Sequence, residues 1–168
     1  MPDEVLIALG ANLPHPLYGS PRFTLEAALA ALPGQGVAIL ARSNWYESAP
    51  VPASDQPWFL NGVALCQPSE GPADTLRALH RVEAAFGRAR AELNAPRMLD
   101  LDLLAWGSLV NRGPEPPLLP HPRLHERAFV LLPLAEILPH WRHPVSGLGV
   151  GALVAALPPG QEIRRMRP

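Results

Sequence analysis

Hydrophobic and polar residues alternate most strictly in Arg97-Met98-Leu99-Asp100-Leu101-Asp102-Leu103-Leu104. At a side-chain period of two, Leu99, Leu101 and Leu103 share one face of a strand and Asp100 and Asp102 share the other. The leucine face requires a core. The opposite face sets two carboxylates side by side on a strand that aspartate disfavours, and their repulsion has to be offset by solvent, arginines or a divalent metal. Upstream, residues 5–9 (Val-Leu-Ile-Ala-Leu) read as a buried strand ending at Gly10-Ala11-Asn12, followed by a loop over 14–19. Ser20-Pro21 has the form of a helix N-cap and first turn. Phe23, Ala27, Ala28 and Leu32 give that helix its apolar face, and Pro33-Gly34 stops it. A second strand is predicted over 37–46, a proline-studded loop over 48–57 and a third strand over 59–67. Gly71-Pro72-Ala73-Asp74 opens a second helix with Leu76, Leu79, Val82 and Phe86 as its buried stripe and Gly87 as its end. Residues 88–97 have no hydrophobic period and lead into the aspartate strand. Beyond it, Leu109-Val110 offers a short strand, 113–122 is irregular, and 127–138 (around Pro133) and 147–157 have helical patterns.

Strand, helix, strand, strand, helix, strand is the order of the ferredoxin-like βαββαβ fold. The prediction is an α+β protein with a four-stranded antiparallel sheet, helices on one face and the C-terminal helical segments covering the other. No repeat or linker divides the chain, and 168 residues suffice for one core, so residues 1–168 are expected to form a single domain. No apolar run reaches the roughly 18–20 residues of a membrane span, and the acidic start Met1-Pro2-Asp3-Glu4 lacks the basic opening of a signal peptide. Cys66 is the single cysteine, so no internal disulfide forms; a cytoplasmic protein fits. A net charge of −1 argues against nucleic-acid binding. All 14 Lys+Arg positions are Arg, which excludes a Walker-type phosphate loop and Schiff-base chemistry.

The candidate chemistry starts from Asp100 and Asp102. Same-face neighbours on a strand lie about 7 Å apart, close enough to converge on hard cations. Mg²⁺ favours such a seat, completed by water and phosphate oxygens. Two solvated aspartates are the plain alternative. Arg88, Arg90 and Arg97 just upstream match the needs of a polyphosphate, whose oxygens take guanidinium forks, on a segment able to close when phosphates arrive; a solvated basic loop is the alternative. His121, Arg123, His125, Glu126 and Arg127 lack zinc spacing and suit a phosphate or nucleotide contact, with satisfied surface histidines as the plain reading. Phe59 and Phe129 are either core or the two sides of a slot for a flat heterocycle, and Asn61 offers donor and acceptor to an amide-like edge.

These blocks together resemble the 6-hydroxymethyl-7,8-dihydropterin pyrophosphokinases of folate biosynthesis: Ala8-Leu9-Gly10-Ala11-Asn12-Leu13, Tyr46-Glu47-Ser48-Ala49-Pro50, Asp55-Gln56-Pro57-Trp58-Phe59-Leu60-Asn61, Glu83 with Gly87-Arg88-Ala89-Arg90, Ala95-Pro96-Arg97-Met98-Leu99-Asp100-Leu101-Asp102, Leu119-Pro120-His121-Pro122 and Arg127-Ala128-Phe129. The resemblance implies transfer of the β,γ-pyrophosphoryl group of ATP to the pterin hydroxymethyl oxygen, releasing AMP. It implies Asp100 and Asp102 as ligands of two Mg²⁺ ions and Arg88 and Arg97 as catalytic arginines on the transferred group. His80, Glu83, Arg90, His121 and Arg127 become ATP contacts, and Ser48, Val51, Phe59, Asn61 and Phe129 form the pterin site. Small-molecule substrates, no membrane partner and a monomer follow. Ala91, Leu93, Asn94 and Pro122 depart from the family pattern and bear on loop closure and nucleotide affinity. Two rivals stand beside this reading: another Mg²⁺-dependent phosphotransferase on the same scaffold, and a ferredoxin-like ligand-binding module without catalysis.

Overall fold

The computed structural model describes residues 3–87 and 98–167. Strand β1 (Val5–Ala11) is apolar at almost every position because it lies inside the sheet, pairing antiparallel with β4 (Phe59–Pro68) on one side and β5 (Asp100–Trp106) on the other. Between them in the chain come α1 (Pro21–Ala31), β2 (Val37–Arg42), β3 (Tyr46–Ser48) and α2 (Pro72–Ala85); α3 (Ala128–Ile137), α4 (Val150–Ala155) and β6 (Ile163–Arg165) follow β5. The sheet order is β5-β1-β4-β3-β6, with β2 also on β4. Taking β2 and β3 together as the second strand, this is the expected antiparallel ferredoxin-like core with added C-terminal elements.

Alternation along the strands sorts the side chains into two cores. Val5, Ile7 and Leu9 of β1, with Leu101 and Leu103 of β5, pack against Leu25, Ala28, Leu79 and Val82 of α1 and α2. Leu6, Val63, Leu104 and Ala105 face the other way and pack against Leu131 and Leu134 of α3 and Val150 and Leu153 of α4. The C-terminal helices thus cover the second face, as the pattern predicts.

Several local expectations shift. The predicted strand over 37–46 is two strands: β2 pairs with the C-terminal half of β4 and β3 with its N-terminal half. The break occurs because Ser43, Asn44 and Trp45 make other bonds. Ser43 Oγ accepts the Val63 N–H at 3.0 Å, the buried Trp45 indole N–H donates to Glu26 Oε1 at 2.9 Å, and the Asn44 N–H donates to Glu136 Oε2 at 2.8 Å. The expected apolar faces hold in part: Leu79, Val82 and Phe86 in the second helical stretch and Ala28 and Leu32 in the first are buried, but further residues join them. In α1 the inward residues are Thr24, Leu25, Ala28 and Leu29, while Phe23 stays exposed. In α2 they are Thr75, Ala78, Leu79, Val82 and Glu83. In each case a polar residue occupies a core position, which an apolar period cannot register. Pro21 does open α1, but Ser20 makes no side-chain cap. Leu109 and Val110 are exposed and outside any strand. Strand β6 carries two arginines in three residues; backbone pairing to β3 and an Arg164–Glu47 ion pair at 2.7 Å hold it, not apolar burial.

Glu26 joins α1 to the β2–β3 break. Besides the Trp45 bond, its Oε2 accepts from Arg42 Nη1 at 2.6 Å, and the Arg42 guanidinium lies 4.8 Å from the Trp45 ring centroid. The Arg42 hydrogen bond holds the Glu26 carboxyl below its ordinary value against the opposing effect of burial. A depressed carboxyl pKa stabilises the fold above the unfolded-state pKa, and the contribution disappears as pH falls through the folded-state value. Both side chains are more than a third exposed, so Glu26→Gln is expected to cost about 0.5–1 kcal/mol at pH 7. Urea unfolding should show that gap closing toward pH 3; a gap that persists in acid would assign the effect to packing.

Candidate functional site

The register places Asp100 beside Gly10 and Gly10 beside Asn61, one row across β5, β1 and β4. Asp102, Ala8 and Val63 form the next row. This is the face that α3 and α4 cover, and at the Asp100–Asn61 end it opens into a cavity of about 660 Å³. Gly10, Asn61, Asp100 and Asp102 form its floor. Ser48, Val51 and Phe59 line one wall, and His121, Arg127 and Phe129 line the other. Nine of the expected metal, ATP and pterin residues, together with Arg123 and Glu126, therefore line one cavity.

Each is positioned by a short-range cause. Asn61 and Ser48 are both buried, and Asn61 Nδ2 donates to Ser48 Oγ at 2.7 Å. That bond sets the amide orientation, with Oδ1 turned toward Gly10. A Cβ at position 10 would stand 2.9 Å from Asn61 Oδ1, so glycine there is a requirement of close approach. Asn12 anchors the proline-rich loop behind Val51: its Nδ2 donates to Gln56 Oε1 at 3.0 Å and to the Pro57 carbonyl at 3.2 Å. The end of β1 at Gly10-Ala11 and the following Asn12 thus shape both the floor and one wall.

On the opposite wall, Arg127 precedes α3 and its guanidinium lies 5.3 Å from the Phe129 ring centroid, a cation–π contact. Burial draws the Arg127 pKa down, and the Asp102 and Asp100 carboxylates act in the opposite sense; an arginine remains charged throughout. Burial, with Arg127 nearby, pushes the His121 imidazole down to about 4, so it is neutral at pH 7. Its Nδ1 accepts the Arg123 N–H at 3.2 Å, which leaves the proton on Nε2 as a donor.

Asp100 and Asp102 offer hard oxygen donors, half-buried on the cavity floor. Among the described residues no third histidine, cysteine or acid joins them to make an all-protein cage. Two carboxylates open to water and ligand oxygens suit Mg²⁺, which keeps several non-protein ligands, better than they suit zinc.

Two expected contacts are absent from the described cavity lining. Glu83 is 2% exposed and its Oε2 accepts the Leu101 N–H at 2.9 Å. Strand β5 is at the sheet edge, where an outward N–H needs a partner from outside the ladder. Glu83 supplies it between the two aspartates and so supports their strand. His80 is half-buried on α2 and is not among the described lining residues. Arg88, Arg90 and Arg97, with Ala91, Leu93 and Asn94, lie outside the described residues. The sequence pattern missed the segment Pro158-Pro159-Gly160-Gln161, which forms the cavity rim; its Pro-Pro-Gly run signals a turn and nothing about a ligand.

The family model for 7,8-dihydro-6-hydroxymethylpterin-pyrophosphokinase (HPPK) matches residues 6–139. The chain is 40% identical over 161 residues to the 2-amino-4-hydroxy-6-hydroxymethyldihydropteridine pyrophosphokinase of Pseudomonas aeruginosa, covering 94% of each. It is 36% identical over 150 residues to the folic acid synthesis protein fol1 of Pneumocystis carinii, covering 89% of this chain and only 20% of that one. Among solved structures, Plasmodium falciparum HPPK-DHPS superposes with a TM-score of 0.70 at 14% identity, over 93% of this chain and 44% of that chain, a likeness of fold. The chain therefore spans a fraction of the larger folate-synthesis proteins and nearly the whole of the Pseudomonas enzyme. By the match over residues 6–139 and the identity to that enzyme, the chain belongs to the 7,8-dihydro-6-hydroxymethylpterin-pyrophosphokinase family.

Proposed function

We propose that the chain is a pyrophosphokinase of folate biosynthesis that transfers the β,γ-pyrophosphoryl group of ATP to 6-hydroxymethyl-7,8-dihydropterin, giving AMP and the pterin diphosphate. One observation carries the reading: the carboxylate pair shares a cavity floor with Asn61, and Phe59 and Phe129 line the same cavity. A seat for phosphate-bound metal thus adjoins a slot for a flat, amide-edged ring. Family membership supports it.

Phe59 and Phe129 are the proposed faces of the pterin slot, where ring stacking supplies affinity. Asn61, its amide orientation set by Ser48, reads the ring edge, and Val51 closes the outer side. His121 and Arg127 take ATP phosphate oxygens, the first as a neutral Nε2–H donor and the second as a charged fork. Arg90 adds to them, and His80 approaches the nucleotide from α2. Arg88 and Arg97 hold the transferred group. Asp100 and Asp102 are the proposed seat of two Mg²⁺ ions, which when bound would neutralise phosphate charge and acidify the attacking alcohol. In the reaction the alcohol oxygen bonds to Pβ, the bond from Pβ to the oxygen bridging Pα breaks, and the alcohol proton passes to solvent. His121 is poorly suited to act as a base, because its Nδ1 already accepts a backbone N–H. Positioning and charge stabilisation are then the main work of the protein. A single-domain, cytoplasmic monomer completes the proposal; no helix among the described residues is long and apolar enough to cross a membrane.

The direct test is product identity with ATP, Mg²⁺ and hydroxymethyl-dihydropterin. AMP and the pterin diphosphate are expected; ADP or free phosphate would point to a different phosphotransferase. Asp102→Ala should lower kcat by about three orders of magnitude, the scale of several kcal/mol of lost charge stabilisation, with an unchanged circular-dichroism spectrum. Near-wild-type turnover in that variant would remove Asp102 from the metal seat. Gly10→Ala puts a methyl group against Asn61 Oδ1 and should raise the pterin dissociation constant about tenfold, leaving ATP-analogue affinity unchanged in parallel titrations.

A further inference from the structure

Gln161 lies beyond the residues 6–139 that the family model matches, yet it reaches the phosphate wall of the cavity. Its Nε2 donates to the Glu126 carbonyl at 2.9 Å and its Oε1 accepts the Ala128 N–H at 2.8 Å. The two partners flank Arg127. One planar amide therefore fixes the backbone on both sides of that arginine, as a neighbouring strand would. The Ala128 N–H belongs to the first turn of α3, where an intrahelical partner is missing, and Arg127 at the N-cap provides no side-chain cap. Gln161 fills that vacancy.

The next residue ties the other wall. The Glu162 carbonyl accepts the Ala49 N–H at 3.0 Å, and β6 then pairs Ile163 with Ser48. Residues 161 and 162 thus bridge the proline-loop wall and the Arg127 wall. The turn before them is set by Gly160 at φ 86°, a left-handed conformation that favours glycine.

We propose that Gln161 is a positioning residue: its side-chain amide holds residues 126–128 so that Arg127 and Phe129 face the cavity together. This rests on the roles given to Arg127 and Phe129 above. A misdirected Arg127 loses phosphate contact, so the expected signature is a loss of binding that depends on Arg127, beyond the modest loss of stability that each missing hydrogen bond brings.

The test is a double-mutant cycle on the full chain, reading the dissociation constant of a non-hydrolysable ATP analogue with Mg²⁺ for wild type, Gln161→Ala, Arg127→Ala and the pair. Gln161→Ala is expected to weaken binding about tenfold in the wild-type background and hardly at all when Arg127 is already alanine. Gln161→Glu keeps the acceptor for Ala128 and loses the donor to Glu126; it should weaken binding by an intermediate amount, and it runs the same cycle if the alanine variant fails to fold. An equal loss in both Arg127 backgrounds, or unchanged affinity with only a lower Tm, would overturn the proposal. Absence of AMP formation by the wild-type chain would instead refute the assigned reaction, while the binding cycle still reads the Gln161–Arg127 coupling.

Discussion

The antiparallel register of β1 with β4 and β5 is the constraint on which the site depends. It aligns Asp100, Gly10 and Asn61 in one row. The force that holds it acts on the opposite face, where Ile7, Leu9, Leu101 and Leu103 enter the core beneath α1 and α2. Each such side chain contributes roughly 1.5–3 kcal/mol on burial. A one-residue slip of β5 would turn Leu101 and Leu103 to the other face and drive both carboxylates into the apolar layer beneath α1 and α2. The acidic floor is therefore held in place by leucines that never touch a ligand.

The walls have a different physical basis. They are loops and element ends, and polar bonds to backbone groups hold them. Asn12 anchors the proline-rich loop, Ser48 orients the Asn61 amide, and Glu83 takes an edge N–H of the aspartate strand. Gln161 does the same for the backbone around Arg127. Such bonds contribute only about 1 kcal/mol each to stability, but they decide where the side chains that meet a ligand point. Charge is arranged in the same spirit. Burial keeps His121 neutral beside Arg127, so it serves the phosphate wall as an uncharged donor.

Much of this was legible in the chain. The alternation at residues 99–103 shows both the core face and the acidic face, and the strand–helix order shows the ferredoxin-like core. The blocks around Gly10, Asn61, Asp100, His121 and Arg127 carry the family resemblance. The misreadings have a common cause. Thr24 and Thr75 occupy core positions, so the apolar periods of α1 and α2 point slightly off the true buried faces. The strand expected over 37–46 hides a break made by hydrogen bonds of Ser43, Asn44 and Trp45. Glu83 on α2 takes the edge N–H of Leu101, a contact that no helical period signals.

What the sequence determined by itself is periodic and local: which residues share a strand face, where helices start and stop, and which side chains have phosphate or heterocycle chemistry. Those properties follow from backbone geometry and residue type, which need no partner. The tertiary structure alone decided which distant segments meet. It placed Asn61 against a glycine that cannot be larger, bent β6 along β3, and set Gln161 on either side of Arg127. These contacts join residues tens of positions apart through single hydrogen bonds, and a single hydrogen bond leaves no period in a sequence.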